Sequence, residues 1–323
     1  MPKIKGKSLQ KIESGITYEG CSFYLEKASK YNIKNSVFDN CSFRSDVIFI
    51  DIEGCEFTNC GFSGKLELDL SEKRLMEMPS YVFQLKNLST LSISHNQISK
   101  LPPELAQLQN LSDLNIGSNQ ISKLPPEFAQ LQNLSTLGIS HNFISQLPPE
   151  FAQLQNLSTL DISCNFISEL PSELIQLQNF STLYLHDNQI NELPPEFAQL
   201  QNLSIFNLSD NYISQLPPEF AQLQNLSILH LSDNEIDTLP PELAQLQNLS
   251  TLSLHNNQIS KLPSELIPQN LSYLNLSNNK ISELPPEFAQ LKDLSTLNLS
   301  HNQISEKQQS LIKKWLPNCN LYF

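Results

Sequence analysis

The chemistry open to this 323-residue chain is concentrated in its histidines and in a set of aspartates. All six histidines, at 95, 141, 186, 230, 255 and 301, fall within the four residues before an asparagine that recurs down the chain. Asp187, Asp210 and Asp233 stand directly before that asparagine. Imidazole and carboxylate together can hold a divalent ion, and His230 and His255 with Asp210 or Asp233 make the one set worth weighing. Imidazole also titrates near neutrality, so His186, His230 and His255 are candidates for contact or for pH response. Catalysis has less to draw on. The chain has no phosphate-binding glycine loop, no nucleophile elbow and no HExxH. The residues read as non-enzymatic, with no catalytic group, no resident metal and no cofactor.

What must position these side chains is a repeat. The asparagine recurs at 96, 119, 142, 165, 188, 211, 234, 257, 279 and 302, in steps of 23 except for 22 between Asn257 and Asn279. The missing residue falls within LIPQNL (266–271). Around each asparagine the pattern is LxxLxLxxNxI, and a degenerate copy with Leu68, Leu70 and Leu75 makes eleven. In the copy at 88–111, Leu91 and Ile93 alternate with Ser92 and Ser94, the period of a half-buried strand. Pro102 and Pro103 end it and suit the first turn of a helix, with Glu104 favoured at the helix start. Leu105, Leu108 and Leu111 then return at helical spacing. No single copy buries its leucines, so neighbours must stack into one core.

These motifs resemble the leucine-rich repeat family, in the 23-residue form with LPPE(F/L) after the asparagine segment. The resemblance covers roughly residues 65–304. It implies an α/β solenoid: a right-handed horseshoe with a parallel concave sheet and short convex helices or turns. It also implies that the residues six, four and two before each asparagine face the concave side, with the residue one before at the strand's exit.

Those positions are bland early in the array and distinctive later. They present Tyr184, His186 and Asp187; Ile205, Asn207 and Asp210; Ile228, His230 and Asp233; His255; and Tyr273. Neighbouring strands lie about 4.8 Å apart, so these eleven residues predict one partner-binding surface. None of the four register positions holds Lys or Arg in any repeat. The face should be negative and should favour a protein partner with a basic surface.

The flanks read differently. In residues 1–64, Tyr18, Phe38 and Phe57 recur at steps of 20 and 19, as do Phe23, Phe43 and Phe62, with Cys21, Cys41 and Cys60 two residues before a member of each pair. This resembles pentapeptide repeats and predicts a short β-helix-like cap whose cysteines are inward and reduced. Residues 305–323 predict a capping helix with Leu311, Ile312, Trp315 and Leu316 on one side, closed by a short strand.

The net charge of −13 argues against nucleic acid or an anionic membrane as partner. No apolar run reaches membrane-span length, and MPKIKGKSLQKIE has no apolar core of a signal peptide. Asn-Leu-Ser sequons recur at Asn110, Asn133 and Asn156 and within expected strands at Asn207 and Asn298, which points to a cytoplasmic or bacterial setting. Three functional readings follow. The chain is a protein-binding scaffold; a regulator or effector of a signalling protein such as a small GTPase; or a spacer without a specific ligand.

Overall fold

The computed structural model describes residues 1–26, 29–265, 268 and 270–323. The shortened LIPQNL segment contains Leu266, Ile267 and Gln269, which lie outside the described residues. The chain divides into two compact units, residues 1–143 and 144–323.

In the first unit, each turn of about twenty residues lays down strands in separate parallel sheets. Strands Lys3–Lys5, Thr17–Glu19, Val37–Asp39 and Glu56–Thr58 form one. Strands Ser8–Leu9, Ser22–Phe23, Ser42–Phe43 and Gly61–Phe62 form a second. The aromatic spacing becomes two ladders of rings. Phe38 stacks between Tyr18 and Phe57 at 5.1 and 4.8 Å, and Phe43 between Phe23 and Phe62 at 4.8 and 4.6 Å. All six cysteines are free thiols, and the Cys41 and Cys60 thiols donate to the carbonyls of Tyr18 and Phe38. The Cys41 thiol beside it and burial push the Cys60 thiol up, away from thiolate. Strands Lys30–Asn32 and Val47–Asp51 open a third sheet, which continues through Leu66–Asp69 into the repeat strands Thr90–Ser92, Asp113–Asn115 and Thr136–Gly138. The first repeat therefore finds its backbone partner in the segment before it, leaving no exposed sheet edge there.

In the second unit, strands Thr159–Asp161, Thr182–Tyr184, Ile205–Asn207, Ile228–His230, Thr251–Ser253, Tyr273–Asn275, Thr296–Asn298 and Asn320–Tyr322 pair in parallel, each with its neighbour in sequence. Each is only three residues long because the turn at the asparagine follows at once. The segments opposite the sheet are five-residue 3-10 turns rather than α-helices, as at Pro195–Gln199 and Pro218–Gln222. A 3-10 turn advances about 2 Å per residue, so it spans the repeat with fewer residues than an α-helix needs. Phe197 and Phe220 point inward from these turns and are fully buried.

The asparagine is the joint between repeats. The side-chain amide of Asn211 donates to the carbonyls of Leu185, Leu208 and Ser209 at 3.0–3.1 Å, and its oxygen accepts from the Ile190 N–H at 2.9 Å. One residue thus bonds four backbone groups, of which the Ser209 carbonyl also accepts from the Asp187 N–H of the preceding repeat. Asn188, Asn234 and Asn257 repeat the arrangement.

The C-terminal helix, Glu306–Trp315, starts where the Ser305 hydroxyl accepts from the Gln308 N–H. Ile312 and Leu316, one turn apart, are buried. Leu311 departs from expectation: it is 40% exposed, because it sits about 100° round the helix from Ile312.

Candidate functional site

The distinctive concave residues all fall in the second unit, on five adjacent strands. Between them Leu183, Phe206, Leu229, Leu252 and Leu274 are buried in the core, so the alternate residues project from the other side of the sheet. Register then sets who meets whom. Thr182, Ile205, Ile228, Thr251 and Tyr273 form one row across the strands, and Tyr184, Asn207, His230 and Ser253 form the next. Ile205 and Ile228 stand side by side and partly exposed, with Tyr273 further along the row. The Tyr184 ring meets the His186 ring edge-on at 6.5 Å. The structure therefore brings the sequence-derived set together on one face.

The histidines are held by asparagines of the next repeat. Asn207 accepts the Ser209 N–H on its oxygen, which turns its amide nitrogen towards His186 Nδ1 at 3.3 Å. Asn275 accepts from Ser277 in the same way and presents its amide to His255 Nδ1 at 3.3 Å. An amide NH2 only donates, so Nδ1 accepts in both rings and the proton sits on Nε2. His255 Nε2 then points at Asp233 at 3.5 Å, and Asn256 donates to the same carboxylate at 2.6 Å. His230 is half-buried, and burial, with His255 and His186 nearby, pulls its pKa down. The shift favours the neutral imidazole over the imidazolium. His230, His255 and the aspartates do not close on a common point: among the described residues no three His, Cys, Asp or Glu side chains converge closely enough to hold a metal ion.

Two positions are tighter than the sequence pattern implies. Ser209 and Ser232, two before their asparagines, are buried, and the Ser232 hydroxyl donates to Ser209 at 2.8 Å. The residue one before the asparagine bears no packing load yet is conformationally constrained. From His95 to His301 it has φ between 53° and 57° in every one of ten repeats. This left-handed geometry favours Asn, Asp and His, and the occupants are His95, Ser118, His141, Cys164, Asp187, Asp210, Asp233, Asn256, Asn278 and His301. Three of the six histidines are thereby explained as framework.

Asp187, Asp210 and Asp233 need an aspartate less than they need its backbone, since Asn256 and Asn278 adopt the same φ without charge. Among the described residues no Lys or Arg pairs with any of the three; His255 stands 3.5 Å from Asp233, to which Asn256 also donates. Burial pushes the Asp210 carboxyl up, and Asp233 and Asp187 add to it. A carboxyl with a raised folded pKa binds protons more readily folded than unfolded, so it destabilises above that pKa, and the penalty vanishes as pH falls below the usual carboxylate range. Asp210→Asn should therefore hold or raise the Tm at pH 7, with the difference from wild type closing near pH 3. A lower Tm at pH 7 in thermal melts would show that the charge is structural.

The residue one after the asparagine was missed by a reading confined to the strand register. It is Gln at 97, 120, 189, 258 and 303, Glu at 235 and Lys at 280, but Phe143 in the first unit and Phe166 and Tyr212 in the second. All three are exposed, Phe166 by 44% and Tyr212 by 56%. The signal was present in the sequence, as an aromatic ring at a template position held elsewhere by polar residues.

The described residues include no helix long and apolar enough to cross a membrane. The family model for the leucine rich repeat matches overlapping windows from residues 67–121 to 247–304, and a second model of that description matches 293–319. Among solved structures, a leucine-rich repeat protein from Leptospira interrogans is 32% identical, with 86% of this chain and 90% of that one covered at a TM-score of 0.62. An internalin from Listeria monocytogenes is 25% identical over 76% of this chain and 77% of that one, with a TM-score of 0.61. The plant peptide hormone receptor RGFR1, in complex with RGF2, is 21% identical over 94% of this chain and 59% of that one, at 0.66. The last likeness is one of fold. No curated protein matches the chain.

Proposed function

The chain belongs to the leucine-rich repeat family, and from that premise we propose that it is a protein-binding scaffold whose partner docks on the acidic sheet face from Tyr184 to Tyr273. The observation that carries the reading is the continuity of that face. Ile205 and Ile228 are paired in register, Tyr184 and His230 flank Asn207 in the next row, and three carboxylates lie at the strand exits. Apolar and aromatic anchors inside a charged surround are what an interface core requires. Tyr184, Ile205, Ile228 and His230 anchor the partner. Asp187, Asp210 and Asp233 steer a basic surface towards them, and salt weakens the steering. A sheet held by the asparagine joints orders little on binding, so less contact energy is lost to entropy. The function is binding rather than catalysis.

The setting we propose is one without N-glycosylation, such as the cytoplasm. The side-chain amides of Asn110 and Asn133, both sequon residues, donate to the carbonyls of Lys86 and Gln109 at 2.8 Å. A glycan would replace one of that nitrogen's two hydrogens and crowd the repeat behind it.

The test is a comparison of wild type with Tyr184→Ala, Ile205→Ser, Ile228→Ser, His230→Ala as baits in the source organism's lysate, both first shown folded by circular dichroism. Each anchor should cost about 2 kcal/mol of binding, so a protein held by wild type should be absent from the variant. Identical captures would sink the assignment and leave the spacer reading in its place.

A further inference from the structure

Three cysteines of the first unit stand in one column. Strand pairing sets Thr58 against Asp39 and Gly61 against Ser42, so Cys60 lies in register with Cys41 between them. Cys21 is in register with Cys41 in the same way, since Glu19 pairs with Asp39 and Ser22 with Ser42. Each cysteine follows a residue in a left-handed turn, Gly20, Asn40 or Asn59, with φ between 50° and 59°. Each thiol makes the same two contacts, to the carbonyl two residues before it and to a carbonyl of the preceding turn, at 3.3–3.6 Å. The three side chains therefore leave neighbouring turns in the same direction.

The column is not uniform. Cys21 and Cys41 are each 1% exposed, whereas Cys60 is partly exposed. Glu56–Thr58 and Gly61–Phe62, on either side of Cys60, stand last in their two sheets, so ladder bonds hold that turn from one side. The Cys60 S–H donates to the Cys41 sulfur. That bond holds the Cys41 thiol down to about 7 and pushes the Cys60 thiol up. The pair gives up its first proton more readily than a lone thiol and keeps the second between its two sulfurs. Burial, by contrast, pushes the Cys55 thiol up.

We propose that Cys41 and Cys60 are a redox-sensitive pair, which a peroxide joins into a disulfide that clips the last turn of residues 1–64 to the turn before it. Residues in register on adjacent strands have Cα atoms about 4.8 Å apart, within the span of roughly 4.4–6.8 Å that a disulfide bridges. Once its proton has passed to Cys41, the solvent-facing Cys60 sulfur attacks the peroxide as a thiolate. The O–O bond breaks, Cys60 becomes a sulfenic acid, and the departing hydroxide takes up the proton the pair first released. Cys41 then attacks the Cys60 sulfur. The S–S bond forms, the S–O bond breaks, and the Cys41 proton leaves with that oxygen as water. The two thiols are oxidised by two electrons, and the peroxide is reduced to two waters. Cys21 shares the register but is enclosed, so the bond forms at the open end of the column. The clip closes a loop across the 19-residue step from Cys41 to Cys60, which removes entropy from the unfolded chain and stabilises the turn that leads into Leu66–Asp69.

The experiment treats the full chain with hydrogen peroxide near neutral pH, digests it without reduction and maps the cross-link by mass spectrometry, with thermal melts in parallel. The mass should fall by two hydrogens, and a peptide holding Cys41 should be joined to one holding Cys60, with fragmentation separating Cys60 from Cys55. Dithiothreitol should reverse both changes, and the oxidised protein should melt about 4 °C above the reduced one. Cys60→Ala, shown folded by circular dichroism, should give neither cross-link nor rise. Peroxide that leaves both residues as thiols, or that carries Cys60 to a sulfinic acid without a cross-link, overturns the proposal. So does a bond from Cys60 to any other cysteine, or a Cys41–Cys60 bond that forms only in urea and so belongs to the unfolded chain. An oxidised protein that melts no higher than the reduced one, or a rise that survives in Cys60→Ala, removes the clip.

Discussion

Asn211→Asp is expected to destabilise the second unit by about 4 kcal/mol at pH 7. The substitution is nearly isosteric, so packing is not what fails. Asn211 is buried, and its amide donates to three carbonyl oxygens, of Leu185, Leu208 and Ser209. A carboxylate there would still accept from the Ile190 N–H, but its second oxygen would face those carbonyls with a charge and no proton. Each carbonyl keeps a second donor, the Asn188 amide at Leu185, the Asn234 amide at Leu208 and the Asp187 N–H at Ser209, so the cost is that of a buried carboxylate without a cationic partner facing three acceptor oxygens, partly relieved by local relaxation. The loss should shrink as pH falls, because the disfavoured carboxylate takes up a proton and can then donate once. Urea unfolding at pH 7 and pH 4.5 measures both statements. A loss below about 1 kcal/mol at pH 7 would mean that the asparagine joint carries far less than its hydrogen bonds imply. The mirror substitution one residue earlier, Asp210→Asn, is expected to be harmless. The pair therefore separates the asparagine's bonding from any general intolerance of the turn.

Phe43→Ala should cost the first unit a similar amount, about 4 kcal/mol. Phe43 is fully buried. Its ring lies between Phe23 and Phe62, with the Phe49 ring edge-on at 6.3 Å and Phe38 tilted at 5.7 Å. Truncation removes a large apolar surface and the stacking on both sides, and the parallel strands are too regular to collapse into the gap. Limited proteolysis should open new cleavage sites within residues 1–64, and near-ultraviolet circular dichroism should lose aromatic signal. An unfolding free energy within about 1 kcal/mol of wild type would show that the ladder relaxes around the cavity.

The two predictions differ in how much of them could be read in advance. The Phe43 ladder is visible as a spacing of 20 and 19 residues, because rings repeated at the length of one turn must come into line. What the spacing does not carry is the partition of each turn into strands, nor the continuation of Val47–Asp51 through Leu66–Asp69 into the repeat sheet. Those depend on pairings between residues far apart in sequence. At Asn211 the repeat announces an asparagine that the fold requires, and a bend at that place. The four partners of its side chain are supplied by the preceding repeat as well as its own, so only the stacked structure reveals them.

At the candidate site the division is similar. A strict 23-residue period and strand alternation assign Tyr184, Ile205, Ile228 and His230 to one face, because register in a parallel stack follows from identical repeat length. The sequence by itself thus determined the repeats, the inward leucines and the columns of outward residues. Tertiary structure decided how open each column is and what holds it. It buried Ser209 and Ser232, set the left-handed turn that explains His95, His141 and His301, and turned Asn207 and Asn275 onto the histidines of the preceding repeat. It also exposed Phe166 and Tyr212. The physical reason is that periodicity is a property of one chain segment repeated. Exposure, turn geometry and hydrogen-bond partners are properties of two repeats in contact, and no single repeat contains them.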